Sequence, residues 1–145
     1  FGYRWSVLGP DICSEVLDQA KRAIYPDDRI EPIPFAMRDK YLLRSKNRGD
    51  RLVRIAPHLR THVAFRRLNF LDRDYQISEP MDVIFCRNVL IYFSRETQEG
   101  ICAHLCRHLR PGGYFFIGHS ETLQGMSGGL RMVAPTIYRK EGGEP

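Results

Sequence analysis

Apolar residues along the chain come in short runs, and the breaks between the runs define the elements. Residues 3–8, YRWSVL, read as a strand. Gly9-Pro10-Asp11 interrupts that pattern, and Ser14 is placed to cap a helix from Glu15 to about Ala23, which makes a β-loop-α unit. Residues 26–37 carry Pro26, Pro32 and Pro34 and predict loop or short turns, because each proline removes a donor and restricts its predecessor. Between Tyr41 and Leu68 the runs YLLR, RLVRIA and HVAFRRL, separated by SKNRGD and by a Pro57-containing connection, predict a small antiparallel meander.

The second half has a different rhythm. Residues 82–86, DVIFC, form a short apolar run after Asp82 of the sort suited to a sheet covered on both faces. Ser94 then reads as the N-cap of a helix with Glu96 in its first turn and an apolar stripe of Ile101, Cys102, Leu105, Cys106 and Leu109. Arg107 and Arg110 suit its C-terminal dipole, and Pro111-Gly112-Gly113 ends it before the strand YFFIGH at 114–119. Strand, helix and strand at this spacing predict a βαβ crossover and a parallel pair. The segment from Leu130 to Arg139 predicts an antiparallel edge, and Gly142 to Pro145 a frayed tail.

Composition narrows the class. With 145 residues, 43% hydrophobic, the chain suits one core of ordinary domain size. No stretch approaches the ~18 apolar residues of a membrane span and no secretory leader pattern opens it, so the reading is a soluble, cytoplasmic protein. Cys13, Cys86, Cys102 and Cys106 lack disulfide-framework spacing and are expected reduced and mostly buried. No metal site is expected, because on a helix Cys102 and Cys106 face away from His104 and His108. Residues 38–67 hold ten Lys/Arg against Asp39 and Asp50, which concentrates the net +5 of the whole chain in one segment. Such a field suits an acidic partner, and equally a solvated basic face.

Ligands of open α/β sheets bind beyond the carboxyl ends of the strands, so the candidates are the polar residues just past each run. Asp11 comes after the first strand, where a carboxylate can accept from ribose hydroxyls or can cap the next helix. Asn69 comes after HVAFRRL, where its amide can read an adenine edge or close a turn. Arg87 and Asn88 interrupt the run DVIFCRNVLIYF; if the strand ends at Cys86, both emerge at the ligand edge and neither is a core residue.

The run DVIFCRNVLIYF, the Ser-capped helix, Leu-Arg-Pro-Gly-Gly, the next strand and Gly-His-Ser-Glu at 118–121 resemble the chemotaxis receptor methyltransferases, the CheR family. The resemblance extends upstream through Asn69-Phe70 and the basic β region to Asp11-Ile12. It implies an α/β fold: an incomplete Rossmann-like methyltransferase sheet, mostly parallel with an antiparallel C-terminal edge, plus a small antiparallel β-subdomain. Residues 1–145 would be a methyltransferase domain lacking its first strand and glycine-rich loop, with 38–68 as the inserted basic β-subdomain.

By the same resemblance the cofactor is S-adenosylmethionine and the product S-adenosylhomocysteine. Asp11 would bind the ribose with Ile12 beside the adenine, Asn69 and Phe70 would lie at the adenine, and Arg87, Asn88 and Val89 would border the methionine part. Arg87 and Tyr92 would serve the chemistry at the transferred methyl, which is esterification of glutamate side chains on the chemoreceptor cytoplasmic domain. A receptor C-terminal peptide could dock at the basic β-subdomain by strand addition. The alternative is a non-catalytic fragment that binds a receptor or acidic peptide. Arg-rich strands with Tyr41 and Phe65 also raise a nucleic-acid surface, but the aromatic spacing is sparse and no such partner is expected.

Overall fold

The computed structural model describes residues 2, 4–123 and 129–142. Tyr3, at the head of the expected first strand, and the tail from Gly143 onward lie outside them. The fold is mixed α/β, and it divides into two compact units, one reaching to Asn69 and one beginning at Phe70.

In the first unit, β1 (Val7–Asp11) runs through the predicted break and pairs in parallel with β5 (Val63–Arg67), from Val7↔Val63 to Asp11↔Arg67. Two features explain why Gly9-Pro10 does not end the strand. A Cβ at Gly9 would sit 3.0 Å from the Phe65 ring, tighter than an ordinary contact, so glycine lets the strand pass the ring without displacing it. Val7 N–H donates to His62 O, and by the alternation of a strand the N–H missing from Pro10 belongs to the side facing away from β5. Helix α1 (Ser14–Arg22) packs against both strands. Ser14 is its first helical residue and not its cap; Cys13 holds that position without a side-chain cap. The helix ends at Ala23, whose φ of 54° turns the chain left-handed while its N–H returns to Ala20 O and Gln19 O.

A three-stranded antiparallel sheet comes after α1, in the order β2 (Ile24–Pro26), β4 (Leu52–Ile55), β3 (Leu42–Arg44). Val53 at its centre is 1% exposed. Here the meander expected over 41–68 needs correction: YLLR and RLVRIA contribute strands, but the third partner is Ile24–Pro26, and HVAFRRL pairs with β1. Short apolar runs specify strand formation far better than they specify the partner. The proline-rich segment is also more ordered than expected, since Pro34 leads directly into α2 (Phe35–Tyr41), and Tyr41 is helical. A short α3 (Pro57–Arg60), with proline at its first turn, returns the chain to β5.

The second unit carries the predicted crossover. Strand β6 (Met81–Cys86), helix α4 (Arg95–His108) and β7 (Leu109–Ile117) form a parallel βαβ unit. Ser94 caps α4 by accepting from Thr97 N–H, as its position predicts. Ile101, Cys102, Leu105 and Cys106 are buried, as are Cys86, Phe115, Ile117 and Tyr138 of the sheet. Pro111-Gly112-Gly113 lie within β7 at an irregularity of the pairing, where a Cβ on Gly113 would meet Asp82 O at 2.9 Å. The single edge segment expected over 130–139 is a hairpin of β8 (Leu130–Ala134) and β9 (Ile137–Lys140), turned at Thr136 with φ 63°. Sheet order is β6-β7-β9-β8, with the last two antiparallel. Lys140 Nζ reaches Cys106 O and Leu109 O at 2.6 Å each and so satisfies carbonyls at the end of α4.

Candidate functional site

The candidate residues collect at strand ends in each unit. At the end of β1 the Asp11 carboxylate accepts from Cys13 N–H at 2.8 Å, an Asx turn that redirects the chain into α1. Asp11 is half-buried and Ile12 exposed. Leu68 N–H donates to Asp11 O, so the parallel pairing carries Asn69 to the same edge as Asp11 and Ile12. The first unit therefore brings those three together. Phe70 opens the second unit; its carbonyl accepts from the Tyr75 hydroxyl at 2.8 Å and its ring meets that of Tyr75 edge-on. Burial pushes the Tyr75 hydroxyl up to about 12, so it remains a donor.

At the end of β6 the strand stops at Cys86, and Arg87 and Asn88 are both exposed, which resolves their presence in an apolar run. Asn88 takes φ 59°, a left-handed conformation that asparagine tolerates better than most residues. Val89 comes next, half-buried, and a short 3-10 turn over Leu90–Tyr92 buries Leu90 to 1% while leaving Tyr92 80% exposed. Arg87, Asn88, Val89 and Tyr92 thus lie along one loop of the second unit.

Glu121 holds that loop, a role its place in the sequence did not reveal. Its Oε1 accepts from Val89 N–H (2.9 Å) and Leu90 N–H (2.8 Å), and its Oε2 from Asn88 N–H (3.0 Å) and Gly118 N–H (2.6 Å). Gly118 leaves the room for it, since a Cβ there would lie 2.8 Å from Glu121 Oε2 and 3.0 Å from Asn88 N. On the far side, the Gln98 amide of α4 donates to Leu90 O and Phe93 O.

Thiol chemistry does not suit this edge. Burial, with the Glu121 charge as a smaller cause, pushes the Cys86 thiol up to about 12, and burial first of all raises Cys102 to about 12 and Cys106 to about 11. All three thus stay protonated near neutrality. His104 and His108 pack against the Tyr75 ring, and among the described residues no three His, Cys, Asp or Glu side chains come together as a metal cluster. No helix among them is long and apolar enough to cross a membrane.

Residues 1–139 match the family described as CheR methyltransferase, SAM binding domain. The chain belongs to the CheR methyltransferase family. Its relatives in that family include chemotaxis protein methyltransferase 2 of Pseudomonas aeruginosa, 38% identical over 132 residues, which are 91% of this chain and 47% of that protein. The chemotaxis protein methyltransferases of Salmonella typhimurium and Borreliella burgdorferi are each 35% identical, over 93% and 95% of this chain and 47% of each relative. This CheR-family chain spans about half the length of the curated relatives it matches.

Proposed function

We propose that this chain carries the S-adenosylmethionine-binding part of a methyltransferase that esterifies glutamate side chains on the cytoplasmic domain of chemoreceptors, and that it works in the cytoplasm. The observation that carries the reading is the loop after β6, where Arg87, Asn88 and Val89 leave a parallel strand on a backbone held by one carboxylate. In this reading residues 1–145 are a methyltransferase domain, and the β2-β4-β3 sheet is its inserted basic subdomain.

The residues fit an adenosyl-sulfur group. The turn at Asp11 uses one carboxylate oxygen, and a carboxylate has acceptor capacity beyond that single bond, which a ribose diol requires. Ile12 supplies exposed apolar surface beside it, Asn69 an amide at the same edge, and Phe70 an aromatic ring for the adenine. Arg87, Asn88 and Val89 border the methionine part.

S-adenosylmethionine would supply a methyl group whose bond to the sulfonium sulfur breaks as the carboxylate–methyl bond forms, so that the neutral thioether S-adenosylhomocysteine leaves. The receptor glutamate is ionised at neutral pH and needs no general base, so the protein's part is alignment and exclusion of water. The exposed Arg87 guanidinium orients the incoming carboxylate through charge-assisted hydrogen bonds. Tyr92 donates a hydrogen bond to it or walls the path of the methyl.

A second reading rests on the basic sheet. A cleft of about 360 Å³ there is lined by Arg44, Arg51, Ser45, Asn47, Asp27 and Leu52, beside the edge strand β3. It suits an acidic peptide such as a receptor C-terminus, added along the edge without any turnover. Calorimetry separates the two readings. S-adenosylhomocysteine should bind the wild-type chain and lose affinity on Asp11→Ala, whereas uptake of an acidic receptor-tail peptide alone would leave only the second reading.

A further inference from the structure

We infer that Glu121 is a positioning residue for the cofactor: it sets the geometry of Arg87-Asn88-Val89 through their backbone and touches neither cofactor nor substrate itself. The inference rests on the cofactor reading above and deepens it. Four backbone N–H groups, those of Asn88, Val89, Leu90 and Gly118, converge on this one carboxylate. Three of them are consecutive, and consecutive N–H groups around a left-handed residue make a concavity that attracts an anion. In this protein the chain supplies the anion from its own sequence, 33 residues past Asn88.

The chemistry has two consequences. Both carboxylate oxygens accept two bonds each, so an amide is a poor replacement, because its NH2 would face two N–H donors. Those N–H groups are also spent, so a carboxylate on the cofactor's methionine end cannot use them. The buried Leu90 anchors the inner side of the turn, while the exposed Arg87, Asn88 and Tyr92 project from it, so a shift of the clamped backbone is transmitted to the ligand edge.

The test compares wild type, Glu121→Gln, Gly118→Ala and Glu99→Gln, a surface control on α4 that is ion-paired with Arg95. Amide hydrogen exchange and S-adenosylhomocysteine calorimetry are both run well below each variant's melting temperature. Glu121→Gln and Gly118→Ala should lose protection at Asn88, Val89, Leu90 and Gly118 while the β6–β7 ladder keeps its own. Affinity should fall about tenfold if the unclamped loop keeps its binding-competent shape roughly a tenth of the time, and Glu99→Gln should change neither readout. If Glu121→Gln fails to fold, Gly118→Ala decides. Retained protection, or lost protection with unchanged affinity in a chain that binds S-adenosylhomocysteine, overturns the inference alone. A wild-type chain that takes up no S-adenosylhomocysteine overturns the cofactor reading, and this inference with it.

Discussion

The turn after β1 and the loop after β6 both end a strand of a parallel pair and both present polar residues, yet they are held by different means. Asp11 closes its own turn, with its carboxylate on the N–H two residues ahead. The β6 loop is closed from outside, by Glu121 and Gln98, which lie on the segments after β7 and β6. A self-closed turn survives changes elsewhere and leaves its acid available for a ligand. A loop clamped by a distant carboxylate can take a sharper shape, including the left-handed Asn88, but it depends on every partner in the clamp.

The largest effect that separates the two regions is expected at alkaline pH. The strand behind the β6 loop ends in Cys86, which with Cys102 and Cys106 is held protonated by burial, at about 12, 12 and 11. Their folded values exceed the unfolded ones, so above pH ~8.5 the unfolded state holds fewer protons than the folded state. Stability is then fully present below that pH and falls as pH rises toward 11, by at most about 1.4 kcal/mol per pH unit for each thiol. Urea melts between pH 8 and 10.5 should show the fall, and Cys106→Ala should flatten it.

Next in size are the clamp variants. Gly118→Ala should destabilise the second unit by about 2–3 kcal/mol through overpacking against Asn88 and Glu121. Glu121→Ala should cost about 2 kcal/mol by leaving part-buried N–H groups unpaired. Smallest in stability is Asp11→Asn, at under about 0.5 kcal/mol, because the amide oxygen still closes the turn. Its effect should appear in S-adenosylhomocysteine affinity instead. Equal losses of stability at Asp11 and Glu121 would erase the distinction between a self-closed and a clamped edge.

The same distinction governs what could be read from the residues. The Ser94 cap, the buried Ile101, Cys102, Leu105 and Cys106 of α4, the βαβ crossover and the emergence of Arg87-Asn88 from the end of β6 are set by neighbours within a few positions, and each was legible, whereas Leu109, expected to close the helix stripe, opens β7 instead. Pairing HVAFRRL with β1, the role of Ile24–Pro26 as a sheet partner and the passage of β1 through Gly9-Pro10 depend on which strand arrives alongside, and apolar runs do not encode that. Lys140 on the α4 carbonyls and Glu121 on the loop are long-range bonds from single polar residues. Such bonds leave no periodic trace. Of the candidate site, the strand-end positions were legible from topology, while the residue that holds the loop in shape was not; the roles proposed for those positions come from family resemblance.

The central proposal is that the strand-end residues Asp11 and Asn69 of the first unit and the Arg87–Val89 loop of the second each respond to an adenosyl-sulfur ligand. Amide chemical-shift mapping of the 145-residue chain during titration with S-adenosylhomocysteine tests it most directly. The account predicts saturable shifts with one shared affinity at Asp11–Cys13, Asn69–Phe70 and Arg87–Tyr92, and little change in the β8–β9 hairpin. Shifts confined to one of these segments, or appearing at the basic β2-β4-β3 sheet instead, would contradict it.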